Sequence, residues 1–124
     1  MTTSDRAAFH EAGHAVVADA LRHGGIEAWL GDEPGTIWDP WADSRADRRH
    51  DLVIRMAGPE AEALRFGDCA HDRRHEEDAL RKGHSPSEIG RARRLARRLL
   101  KCRWPEVERV AGVLLETGRF RYED

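Results

Sequence analysis

The stretch Asp5-Arg6-Ala7-Ala8-Phe9-His10-Glu11-Ala12-Gly13-His14-Ala15-Val16-Val17-Ala18-Asp19-Ala20-Leu21-Arg22 decides how the chain is read. Ala7, Ala8, Val16, Val17, Ala20 and Leu21 recur at helical spacing, which predicts an amphipathic helix from Asp5 to about Arg22. Ser4 or Asp5 can cap its start, and Gly24-Gly25 stops it. On that helix His10 and His14 fall one turn apart on one face. Two imidazoles so placed can share one Zn²⁺, which takes nitrogen ligands at about 2 Å in tetrahedral geometry. Glu11 is rotated by about 100° from His10, so it stands beside such an ion and can serve as a base instead of a ligand. The competing reading of His10-Glu11-Ala12-Gly13-His14 is two exposed helix histidines and a solvated glutamate. The run continues into Ala15-Val16-Val17-Ala18, a buried type of face, which argues against exposure. Gly13, with no side chain, lets a strand or a substrate come close.

Downstream, Ile26–Leu30 and Thr36–Trp38 read as two short strands around the turn-rich Gly31-Asp32-Glu33-Pro34-Gly35. A second helix is predicted from Ser44 to Phe66, with Leu52, Val53, Met56, Ala57, Ala61 and Leu64 inward and Gly67 as its C-cap. Pro59 inside it predicts a kink or a restart, because proline removes a donor and crowds the carbonyl four residues back. Asp72 to Lys82 forms a short helix ended by Gly83. Ser85-Pro86-Ser87-Glu88 is a capping box opening a helix to about Cys102, with Ile89, Ala92, Leu95, Ala96, Leu99 and Leu100 as its apolar face. Pro105 to about Thr117 makes the last helix, with Gly118 beyond it. The fold class that follows is α+β, mostly α: four to five helices, with a small β-hairpin packed on the zinc-binding helix, in a single domain over residues 1–124.

Two blocks carry a family resemblance. His10-Glu11-Ala12-Gly13-His14-Ala15-Val16-Val17-Ala18 resembles the zinc helix of the FtsH-type membrane AAA+ proteases, and Ala57-Gly58-Pro59-Glu60-Ala61-Glu62-Ala63-Leu64-Arg65-Phe66-Gly67 resembles that family's second helix. The resemblance implies a mostly helical zinc metallopeptidase domain with two histidine ligands, a glutamate base and a downstream aspartate as third ligand. Pro59 stands where the family carries arginine, and the family's aspartate-bearing helix start is not cleanly matched. No ATPase domain or membrane anchor is found in the 124 residues, so powered unfolding of substrates is not expected. Asp72, five residues past Gly67, sits at a helix start after the second family block and is the preferred third ligand. Glu88 follows the family's spacing but already has a role as the capping-box residue of Ser85. His75 and Asp78 come behind them.

Composition sets the outer bounds. The chain has 124 residues, 40% hydrophobic and 35% charged, with net charge -2 and a mean hydropathy of -0.73. That describes a soluble globular domain, and no apolar run is long enough for a membrane span. Nineteen of the 21 basic residues are arginine. Without a global basic field, nucleic acid is not the expected partner. Arg91, Arg93, Arg94, Arg97, Arg98, Lys101 and Arg103 nevertheless place seven positive charges and no acid in thirteen residues, read here as the solvated face of an amphipathic helix. Trp29, Trp38 and Trp41 gather round the hairpin, where packing is the simplest role. His71, His75 and His84 read as polar surface with an option on the site. Cys69 and Cys102 form no C-x-x-C and read as reduced apolar fillers in a cytoplasmic protein. The expectation is a small, soluble, ATP-independent zinc metallopeptidase acting on a peptide or protein. Its metal is held by His10, His14 and Asp72, and Glu11 is its base. A peptide would pair along Thr36–Trp38. The alternatives are a non-catalytic zinc-binding interaction module and a dedicated protease that cleaves one partner, such as a repressor. The sequence leaves substrate and oligomeric state open.

Overall fold

The computed structural model describes residues 3–69 and 72–123; for Thr3, Asp72 and Arg73 it describes the backbone alone. Five helices and three short strands follow one another as α1 (Thr3–Ala20), β1 (Glu27–Trp29), β2 (Gly35–Ile37), α2 (Ser44–Phe66), α3 (Asp72–Arg81), α4 (Pro86–Cys102), α5 (Trp104–Thr117) and β3 (Arg119–Arg121). The α+β, mostly helical class is as expected.

α1 is the centre of the molecule. It packs chiefly on α2 and α5, and it also touches α4, β1 and β2. Every residue from His10 to Ala18 is buried, so the amphipathic reading of this helix is corrected: it is enclosed all round. A helix in that position needs small or apolar groups on every side, and Ala12, Ala15, Val16, Val17 and Ala18 supply them. Closest approach to α2 occurs at Gly13. A Cβ there would lie 2.6 Å from the Ala57 carbonyl oxygen and 2.6 Å from the Ala61 Cβ. The neighbour that Gly13 admits is therefore α2, not a strand or a substrate.

α2 begins with the Asp43 carboxylate accepting from the Arg45 and Ala46 amides and ends at Gly67 in the left-handed region. It runs unbroken through Pro59, so the expected restart is absent. Pro59 is fully buried, and Ile54, Met56, Ala57 and Ala61 around it are at 0% exposure, so tertiary packing holds the turn that lacks a hydrogen bond. The α4 capping box forms as predicted, with Ser85 Oγ accepting from the Glu88 amide and Glu88 accepting from the Ser85 amide, both at 3.1 Å. Leu95, expected inward, is 36% exposed.

The expected hairpin gains a third strand. The sheet order is β2-β1-β3, all antiparallel, with Ala28 opposite both Thr36 and Phe120. β2 is thus an edge, and it lies against α1. Trp29 and Trp38 are half-buried; Trp41 stands at the surface against His23 and His50. Cys102 is exposed, not a filler, because it closes α4 on the solvent side. Among the described residues no helix is long and apolar enough to cross a membrane.

Candidate metal centre

His10 and His14 face the same side of α1 with ring centroids 4.7 Å apart, and each is only 7% exposed. Their burial sets aside the surface-histidine reading. Each ring is fixed through Nδ1. His10 Nδ1 meets Glu62 Oε1 at 2.6 Å, and His14 Nδ1 meets the Ile54 carbonyl oxygen at 2.6 Å. A carbonyl only accepts, so His14 Nδ1 carries the proton and Nε2 keeps its lone pair. The Glu62 carboxylate imposes the same arrangement on His10. Both outer partners come from α2, so the α1–α2 contact that Gly13 permits also orients the imidazoles. Outer-shell acceptors of this kind are what metal-ligating histidines use to fix tautomer and direction.

Gly58 completes the cradle. A Cβ at this position would stand 2.4 Å from His14 Nε2 and 2.6 Å from His10 Nε2. The space in front of both lone pairs is open only because the α2 residue there has no side chain.

His75 on α3 closes the group. Its Nε2 lies 3.1 Å from His10 Nε2, and its ring centroid is 5.0 Å from that of His10 and 5.6 Å from that of His14. One nitrogen from each of the three histidines falls within 4.8 Å of the others. Two nitrogen ligands at about 2.05 Å from one tetrahedral ion are about 3.3 Å apart, which the His10–His75 spacing approaches. The donor set, three imidazoles with at least two lone pairs converging, suits Zn²⁺. A second grouping, His10, Glu62 and Cys69, brings ligand-type atoms equally close. Its carboxylate, however, is already bonded to His10 and reached by Arg6 at 3.5 Å.

Glu11 stands beside this cluster, also 7% exposed. Thr36 on β2 donates its hydroxyl to Glu11 Oε1 at 2.8 Å, which aims the carboxylate and ties the edge strand to α1. Burial raises the Glu11 carboxyl above the ordinary carboxylate range, while the neighbouring His10 and the Thr36 hydroxyl pull it back. Burial also holds the His14 imidazole well below its usual value, followed by the effects of His10 and His75. A neutral imidazole is the form that ligates. The cluster opens into a cleft of about 650 Å³ lined also by Thr36, Trp38, Arg55 and Arg74, with the Arg55 guanidinium over the Trp38 ring.

Of the sequence candidates, His10, Glu11 and His14 come together. Asp72 begins α3, but its side chain lies outside the described residues, as does His71. Glu88 is not at the cleft: its carboxylate is held by the Ser85 amide and lies 3.4 Å from His84 Nδ1. Asp78 is paired with Arg81 at the surface. The residue brought to the imidazoles is His75, ranked behind Asp72 in the sequence. Glu62 and Thr36 were not singled out. The signal for Glu62 was its place four residues after Gly58 on the face that meets α1; for Thr36 there was none, since a strand's register against a helix is not local. No family model matches the chain, and no curated protein matches it either.

Proposed function

We propose that the chain is a zinc-dependent metallopeptidase domain of the H-E-x-x-H type, related to the FtsH-type peptidases in the way the two sequence blocks suggest. The observation that carries the reading is the convergence of the His10 and His14 Nε2 atoms on the opening left by Gly58, with the Glu11 carboxylate beside it. His10, His14 and His75 would hold the ion, with Asp72 as the competing third ligand. When bound, Zn²⁺ supplies Lewis acidity, polarising a carbonyl and acidifying water. Glu11 accepts the proton of the attacking water on a carboxylate oxygen and returns it to the leaving amine. Its raised affinity for protons suits both halves of that transfer. Thr36 keeps the carboxylate aimed, and the outer edge of β2 offers backbone groups for an extended peptide along Gly35–Ile37. Cys69 and Cys102 are not joined in a disulfide, which suits the cytoplasmic setting inferred here.

Glu11→Gln is the deciding variant. It should keep about one zinc per chain and the wild-type fold. Cleavage of a peptide library should fall by about 10²–10⁴, the usual worth of general-base assistance. Loss of cleavage with zinc retained supports the peptidase. Zinc binding by both proteins with no cleavage by either supports the interaction module. Absence of zinc uptake removes both.

A further inference from the structure

On another face, α2 and α4 enclose a groove of about 350 Å³. Its floor is apolar, formed by Leu52, Val53 and Ala92, with Leu95 on its wall. The groove explains why Leu95 is 36% exposed although helical spacing puts it on the apolar face of α4: nothing in the described chain covers that face there. The rim is cationic, with Arg48, Arg49 and Arg91. Arg91 and Leu95 continue to Arg98 at helical spacing, so the charge extends along the same line of α4.

The cations of α4 and of its C-cap residue Arg103 divide into two sets. Arg93, Arg97 and Arg103 are answered by Glu76, Glu60 and Asp19 of the same chain. Among the described residues Arg91 meets only the Ser87 hydroxyl, and Arg94, Arg98 and Lys101 have no ion pair. Arg48 is engaged with the Lys82 carbonyl, again not with a carboxylate, and Arg49 has no ion pair among the described residues. Of these cations Arg48, Arg49 and Arg91 line the groove, whose floor residues Leu52, Val53 and Ala92 are buried and whose exposed apolar side chain is Leu95. Glu88, the carboxylate that also lines the groove, is taken up by Ser85 and His84.

We propose that this groove docks an amphipathic acidic helix of a partner protein, its leucine-type face on Leu52, Val53 and Leu95 and its carboxylates on Arg49 and Arg91. A helix laid in a groove presents apolar anchors at i, i+3, i+4 and i+7, with the flanking positions free to carry charge. A phosphate backbone would use the arginines but has nothing to set on the apolar floor, so nucleic acid fits half of the surface. The proposal is independent of the metal reading, because the groove shares no residue with the cleft.

The test is fluorescence anisotropy on the full chain, in wild-type and Glu11→Gln forms so that cleavage cannot remove the probe. Three labelled probes are compared: a helical peptide with leucine at i, i+3, i+4 and i+7 and glutamate elsewhere, the same peptide with lysine in place of glutamate, and a short DNA duplex. The glutamate peptide should bind, and its amide NMR perturbations should fall on α2 and α4. Arg49→Glu with Arg91→Glu should weaken it by about tenfold or more, since two exposed ion pairs become two repulsions. Leu95→Ser should weaken it several-fold at unchanged thermal stability. The lysine peptide should not bind. Failure of the glutamate peptide to bind, or binding indifferent to the arginine reversals, overturns the proposal. DNA binding that ignores Leu95→Ser assigns the face to nucleic acid instead. Concentration-dependent self-association lost in Leu95→Ser assigns it to a second copy of the chain.

Discussion

Adding one methyl group at Gly58 should abolish metal binding while sparing the helix that carries it. In Gly58→Ala the new Cβ is set 2.4 Å from His14 Nε2 and 2.6 Å from His10 Nε2, whereas real Cβ atoms essentially never come under 3.0 Å. The rings would have to withdraw by about 0.6 Å to reach even that limit, and neither is free to do so. Each Nδ1 is held at 2.6 Å by an α2 acceptor. Metal–ligand distances tolerate only about 0.2 Å of misplacement. Losing an outer-shell partner alone costs roughly 10–100-fold in affinity, so displacing two ligands at once should cost on the order of 10²-fold or more. Stability should move much less. Replacing a helix-interior glycine by alanine gains about 0.8–1 kcal/mol, and overpacking costs about 1–3 kcal/mol, leaving a net loss of roughly 0–2 kcal/mol. The assay is zinc titration by competition with a chromophoric chelator, run beside thermal unfolding with and without zinc. Wild type should gain thermal stability with zinc, as any ligand of the native state confers. Gly58→Ala should gain none. A Gly58→Ala protein that binds one zinc per chain as tightly as wild type would falsify the claim that the two Nε2 atoms hold the ion at this opening.

His75→Ala should release zinc and Asp72→Ala should not; metal analysis of the purified variants giving the reverse pattern would make Asp72 the third ligand. Glu62→Ala leaves the His10 Nδ1 proton and Arg6 without their buried acceptor. It should cost about 10–100-fold in zinc affinity and about 1–3 kcal/mol in denaturant stability, and an unchanged affinity would show that the carboxylate does not orient His10. The metal-free protein should lose stability as pH falls below about 6.5, the ordinary histidine value. The unfolded His14 takes its proton there, while burial delays protonation of the folded one. Between the two values the unfolded state binds more protons, so the loss can approach about 1.4 kcal/mol per pH unit for that one group. Urea midpoints that stay level from neutral pH into the acid range would contradict the assignment.

What the sequence determined was local. Helical spacing and end signals placed α2 at Ser44–Phe66, and Ser85 with Glu88 marked the start of α4, because a cap is made by groups three residues apart. The pairing of His10 with His14 and the offset of Glu11 followed from the pitch of a helix alone. Everything that depends on which elements meet was decided by the tertiary structure. β3, three residues of Arg119-Phe120-Arg121, exists as a strand because β1 offers it an edge some ninety residues back in the chain. α1 is buried all round because α2, α5 and the sheet surround it, and the apolar pattern of one helix cannot count its neighbours. Gly13 and Gly58 became indispensable only where α2 crosses α1. His75 stands beside the imidazoles because α3 packs on α2, a contact that no spacing along α3 records. A ligand set is completed by distances across the fold, and sequence separation carries no information about those.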